Sequence, residues 1–207
     1  MIGMAAFDAV LCDLDGVLRW WDPAIMRDAE RAGGLAPGAL AEVAFAPRLV
    51  EPAITGVQTD EEWREAIAVE LAEVCGVDAA RAVVAQWSEP HGEVVEEVAE
   101  ILGGVGVPVV LVSNATSRLE SDLAALGVLD LFDAVVNSSR VGVAKPDPRI
   151  YRFAAERAGA ELDRCLFVDD TPANVEAARA LGMTGVHYRN PAELRDVLTA
   201  GRRASAG

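Results

Sequence analysis

The sequence is poor in the residues that hold soft metals or build disulfides. Its 207 residues include three cysteines and two histidines. Cys12, Cys75 and Cys165 lie far apart, and the absence of any CxxC pair or Cys/His cluster excludes both a zinc site and a disulfide framework. Cys12 and Cys165 fall in apolar runs and read as small core residues. His91 and His187 are too scattered for a metal cluster or a catalytic dyad. Nothing approaches the roughly 18 consecutive apolar residues of a membrane span. No basic segment precedes an apolar stretch at the amino terminus, where Asp8 arrives early, so no signal peptide is expected and the chain reads as cytoplasmic. Basic charge is scarce as well: 18 Lys and Arg against 33 Asp and Glu leave a net charge of −15. That balance argues against a nucleic-acid partner, which needs a basic stripe. It is compatible with a small phosphorylated metabolite, because a metal and a few local donors reverse the field inside one cleft.

What the chain does have is an apolar content of 52% with 25% charged residues, the balance of an ordinary globular protein. Its length allows one substantial core and a small accessory domain. From Val105 onward, short apolar runs alternate with amphipathic stretches. Strands are expected at 107–112, 134–136, 165–168 and 185–188. Helices are expected at 116–126, 148–158, 172–181 and 191–200, with 201–207 as a frayed tail. This alternation predicts an α/β fold, a doubly wound parallel sheet with helices on both faces. Between Leu18 and about Pro90 no strand-like run is seen. Helices are expected at 22–31, from Thr59 to Cys75 behind a capping box, and at 78–87. The expected division is a Rossmann-like core of residues 1–18 and 91–207 with a helical cap of residues 19–90. An insert directly after the first strand is placed to act as a lid over the ligand end of the sheet.

The most informative residues are Asp13 and Asp15. They follow the apolar run Ala9–Cys12 and precede Gly16-Val17-Leu18. Two buried carboxylates at a strand end are costly without a cation. A hard divalent cation and an anionic reacting partner give them a reason to be there. Taken alone, the pattern also fits a solvated turn. Three more segments end strands or precede helices: Ser113-Asn114, the loop Gly142–Asp147 with Lys145, and Asp169-Asp170 followed by Asn174. If these ends converge, each residue type has a chemical role. One carboxylate attacks phosphorus, and a second acts as acid and then base. Oxygen ligands hold Mg²⁺. Ser113, backbone N–H groups near Leu14 and Asn114, and the Lys145 ammonium neutralise phosphate oxygens. Asp169-Asp170 alone would also suit a helix amino terminus. Asn174 fits either a brace for the metal carboxylates or an ordinary exposed position.

Taken together, Asp13-Leu14-Asp15-Gly16-Val17-Leu18, Val112-Ser113-Asn114, Gly142–Pro148 and Val168–Asn174 resemble the four motifs of the haloacid dehalogenase superfamily, in order. The likeness is to its phosphatase branch with a helical cap, and it covers residues 8–195. It implies Asp13 as nucleophile and metal ligand. Asp15 is implied as general acid/base and as a carbonyl ligand to Mg²⁺. Ser113 and Lys145 are implied as phosphate binders, Asp170 as direct metal ligand, and Asp169 as holding Lys145 or a metal-bound water. A carboxylic acid at position 15 has an alkoxide to protonate in phosphoryl transfer and nothing to protonate in carbon–halogen cleavage. The expected activity is hydrolysis of small phosphate monoesters through an aspartyl phosphate. A sugar phosphomutase, a 2-haloacid dehalogenase-type hydrolase and a non-catalytic binding protein are the alternatives. The oligomer is expected to be a monomer or homodimer. Among the remaining residues, Trp20 and Trp21 suggest hinge packing or the lining of a substrate entrance, Trp63 and Trp87 a core for the insert, and Arg19 a surface role or a contact with an anion.

Overall fold

The computed structural model describes residues 7–205. The amino-terminal residues on which the absence of a signal peptide was read lie partly outside it, as do the last two residues of the tail. The apolar run after Asp8 forms β1 (Ala9–Cys12), and a turn leads to β2 (Arg19–Trp20). Five helices follow: α1 (Pro23–Ala32), α2 (Ala39–Ala44), α3 (Pro47–Ile54), α4 (Asp60–Cys75) and α5 (Val77–Ser88). Asp22 caps α1 by accepting from the Ala24 N–H, with Pro23 in the first helical position. Thr59 and Glu62 close the expected capping box on α4. The short helices α2 and α3 were not foreseen; α3 contains Pro52, which ordinarily ends a helix.

The chain then returns through β3 (Glu93–Val94), which pairs antiparallel with β2. This two-stranded ribbon corrects the expectation of no strand between Leu18 and Pro90. Next come α6 (Glu96–Gly103), also unforeseen, β4 (Val109–Ser113), α7 (Leu119–Leu126), β5 (Ala134–Asn137), α8 (Ser138–Val141) and α9 (Pro148–Ala158). The last elements are β6 (Cys165–Asp169), α10 (Pro172–Ala180), β7 (Thr184–His187) and α11 (Pro191–Ser205). Helix α7 starts three residues later than expected, and α11 continues through much of the predicted tail.

Strands β5-β4-β1-β6-β7 form one five-stranded sheet in which every pairing is parallel. Both faces are covered, so β1, β4 and β6 are wholly buried and read as continuous apolar runs. Alternate residues serve opposite layers. Val10, Cys12, Leu111 and Val168 join a core that includes Val98, Leu119 and Leu194. Leu11, Val110 and Phe167 join Ile150, Tyr151 and Ala178 on the other face. Cys12 and Cys165 are unpaired core residues, as expected. The insert α1–α5 has a hydrophobic core of its own, centred on Ala29, Leu40, Trp63, Ile67, Leu71 and Val83. It touches the loop after β4, where the Asp60 N–H donates to Ser117 Oγ at 2.9 Å and Thr116 Oγ1 donates to Asp60 Oδ1 at 2.7 Å. No helix among the described residues is long and apolar enough to cross a membrane.

Candidate active site

The parallel sheet brings the carboxyl ends of β1, β4 and β6 side by side, and the predicted residues meet there. Asp13 follows β1 directly and is buried; its Oδ1 accepts from the Leu14 N–H at 2.7 Å. The Lys145 ammonium lies 2.7 Å from that same Oδ1 and 2.8 Å from Asp169 Oδ2. Lys145 is the only lysine in the sequence. Asp169, fully buried at the end of β6, also accepts from the Thr171 N–H at 2.8 Å and from Asn174 Nδ2 at 3.1 Å. Asn174 therefore braces the acidic group and is buried, not an ordinary exposed asparagine. Asp170 is exposed next to this group.

Carboxylate oxygens of Asp13, Asp169 and Asp170 lie within 4.8 Å of one another. Such an all-oxygen donor set suits a hard divalent cation of the Mg²⁺ kind. The electrostatics agree with that fit. Burial pushes the Asp13 carboxyl up to about 7, against the pull of Lys145 and with the push of Asp169. Burial works against the Lys145 charge, yet Asp13 and Asp169 together hold its pKa above the ordinary value. One ammonium among three carboxylates leaves negative charge to be met by a cation. Gly16 makes the close approach of Asp170 feasible. Its φ of +77° belongs to the left-handed region, and a Cβ built there would stand 2.1 Å from Asp170 Oδ2.

Ser113 ends β4 and is buried. The side chain of Asn114 is committed to the lysine loop: Nδ2 donates to the Lys145 carbonyl at 2.9 Å, and Oδ1 accepts from the Lys145 N–H at 2.7 Å. This two-point clamp fixes where Lys145 emerges.

The Asp15 carboxylate does not belong to the three-carboxylate group. It turns toward the hinge, where Arg19 Nε and Nη2 donate to it at 2.7 and 2.9 Å and Trp21 Nε1 donates at 2.7 Å. Arg19 is thus buried, not a surface cation, and its Nη1 also reaches Asp122 Oδ2 at 3.3 Å. Asp122 further accepts from Arg118 Nε at 2.7 Å, and His91 Nδ1 lies 2.7 Å from its Oδ1. Arg118 reaches on to the Ser88 carbonyl, where the insert rejoins the core. Sequence reasoning missed this Arg19–Asp122–Arg118 network. Its members come from opposite ends of the insert and from α7, and no local spacing connects them.

Between the insert and the strand ends lies a cavity of about 600 Å³. Asp15 and Asn114 line it on the core side, and Met26, Phe45, Trp63 and Trp87 on the insert side. Trp21 also lines it while donating to Asp15 at the hinge, so both readings of that residue apply. Trp63 and Trp87 pack edge to face at 5.6 Å as expected of an insert core, and both also face the cavity.

Comparison with known proteins places this geometry in context. The family model described as haloacid dehalogenase-like hydrolase matches residues 7–182. A protein named phosphatase MT3486 from Mycobacterium tuberculosis is 37% identical over 93 residues, 45% of this chain and 43% of that protein. The mouse haloacid dehalogenase-like hydrolase domain-containing protein 3 is 34% identical over 137 residues, 60% of this chain and 55% of its own. The chain thus spans about half the length of these curated relatives. A solved structure of a HAD family enzyme from Bacteroides thetaiotaomicron, in complex with magnesium and inorganic phosphate, superposes with a TM-score of 0.71 at 21% identity, covering 88% of this chain and 94% of that one. At that identity the likeness speaks to the fold. With the family model spanning four of the five sheet strands and all four site segments, the chain belongs to the haloacid dehalogenase-like hydrolases.

Proposed function

We propose that this hydrolase cleaves small phosphate monoesters, with Mg²⁺ as cofactor and Asp13 carrying the transferred phosphoryl group. The observation that carries this is Asp13 on the end of β1, 2.7 Å from Lys145 and grouped with Asp169 and Asp170. The relative named as a phosphatase and the magnesium- and phosphate-bound neighbour support the same reading.

An Asp13 oxygen attacks phosphorus as the ester P–O bond breaks, and the departing alkoxide takes a proton from Asp15. Asp15 then removes a proton from the water that attacks phosphorus, which releases phosphate and regenerates Asp13. Asp15 lines the cavity, where a leaving alcohol has room. Its carboxylate accepts from Arg19 and from Trp21 Nε1, which orient it. Ser113, Lys145 and the backbone N–H groups of Leu14 and Asn114 meet the phosphate oxygens. Asp13, Asp170 and the Asp15 carbonyl would hold Mg²⁺, while Asp169, engaged by Lys145 and Asn174, orients the site. When bound, the ion supplies Lewis-acid polarisation of a phosphoryl oxygen. The insert, residues 19–90, acts as a cap that excludes water and admits the ester, and the remaining residues form the catalytic core.

Turnover of an aryl phosphate with Mg²⁺ and with excess chelator tests this. Hydrolysis is expected with the metal and not with the chelator, and Asp13→Asn should lower kcat by at least about a thousandfold while remaining folded by circular dichroism. Release of halide from 2-haloacids, insensitive to chelation and without phosphate ester turnover, would overturn it.

A further inference from the structure

The cavity walls carry information about the alcohol half of the ester. Resting on the phosphohydrolase reading, we propose that the substrate is the phosphate of an uncharged, largely hydrocarbon alcohol, not of a sugar, a nucleoside or a hydroxy acid. The insert side of the cavity is a wall of rings and aliphatic chains. Phe45 and Trp87 pack edge to face with centroids 6.2 Å apart, Trp63 adjoins both, and Ile25, Met26 and Ile54 extend the surface. The Phe45 ring is 54% exposed, an uncovered aromatic face inside a cleft of ligand size. Apolar surface of this kind gains from contact with hydrocarbon and loses from contact with hydroxyls.

The charged groups of the cavity point the same way, because each is already ion-paired or capping a helix. Arg19 is matched by Asp15 and Asp122, Arg118 is held by Asp122 and by the Ser88 carbonyl, and Arg64 is ion-paired with Asp60 at 2.7 Å, although its buried Nε makes no aligned hydrogen bond. Asp22 caps α1. A second phosphate or a carboxylate on the substrate would have to break one of these pairs and leave a charge unmatched. The groups a polyol would need are also in use. Thr116 Oγ1 donates to Asp60, the Asn114 amide serves Lys145, Trp21 Nε1 donates to Asp15, and Trp63 Nε1 donates to the Ala44 carbonyl at 3.2 Å. The phosphate end is served by Asp13, Lys145 and Ser113, and the other end is left to apolar contact.

Two measurements test this, and they separate it from the hydrolase reading. The first is binding of methyl-, propyl- and hexylphosphonate in the presence of Mg²⁺, followed by intrinsic fluorescence of the cavity tryptophans. Affinity should rise by about fourfold for each fully buried methylene. Phe45→Asp should flatten that slope. The second is kcat/KM for hexyl phosphate, glycerol 3-phosphate and glucose 6-phosphate, which share a primary alkoxide leaving group, so only the body of the alcohol differs. Hexyl phosphate should be preferred by at least about thirtyfold. Equal affinity for methyl- and hexylphosphonate, or preference for either polyol ester, would overturn the inference even if all are hydrolysed. A steep phosphonate series with no ester turned over would uphold the binding specificity and instead sink the phosphohydrolase reading.

Discussion

At the scale of single residues, the site depends on how few groups neutralise how much negative charge. Lys145 lies between Asp13 and Asp169 and is itself almost inaccessible. Removing one partner of a buried charge group leaves the others without compensation. Lys145→Met should therefore lower stability by about 3–5 kcal/mol, read as the denaturant midpoint at constant slope. An unchanged midpoint would mean that the carboxylates do not need the ammonium. Gly16 makes a separate demand. Gly16→Ala must place a Cβ where Asp170 Oδ2 now stands, at a φ that L-residues rarely adopt. It should weaken Mg²⁺ binding by about 10–100-fold, measured by calorimetry, because Asp170 is displaced. Unaltered affinity would show that Asp170 is not a ligand. These roles were legible in the sequence because they are local: an Asp-x-Asp-Gly after an apolar run, and a paired aspartate after another. The Arg19 clamp on Asp15 was half legible, since the residues are four apart, but Asp122 completes it from 103 residues away.

At the scale of elements, strand ends and helix starts position the chemistry. Asp147 caps α9 directly after the lysine loop and accepts from the Arg149 N–H at 2.9 Å. The Arg149 side chain and that N–H hold its carboxyl down at about 2. Because the folded value lies below the ordinary 3.8, this cap contributes fully above the ordinary value and its contribution disappears as pH falls through about 2. The Tm advantage of wild type over Asp147→Asn should be larger at about pH 5 than at about pH 3, and a pH-independent difference would contradict this account. Strands β1, β4 and β6 were readable because a parallel sheet covered on both faces needs unbroken apolar runs. Helix α3 was hidden by Pro52, and β2 by having two residues. Helix α6 has eight residues, no side-chain cap at its start and a glycine as its last residue, which leaves little local signal.

At the scale of the whole molecule, an acidic protein places four of its 18 basic residues around one cleft. The chain carries a net charge of −15, yet Arg19, Arg64, Arg118 and Lys145 all stand at the junction of insert and sheet. Arg19 and Arg118 tie the two parts together through Asp122 and the Ser88 carbonyl, Arg64 pairs with Asp60 within α4, and the lysine lies between Asp13 and Asp169. The fold class and the meeting of Asp13, Asp169 and Asp170 at the strand ends were legible in sequence, since both rest on short segments. The character of the cavity was not. Its insert-side wall comes from α1, α3, α4, α5 and Phe45 after α2, and their juxtaposition is a property of packing. The central claim is that Asp13 carries the phosphoryl group. Its most direct test is acid quenching of the enzyme during turnover of a radiolabelled phosphate monoester with Mg²⁺, followed by peptide mapping. Hydroxylamine-labile label should appear on the peptide containing Asp13 and be lost in Asp13→Asn. Turnover with no label on that peptide, or label on another residue, would contradict the account.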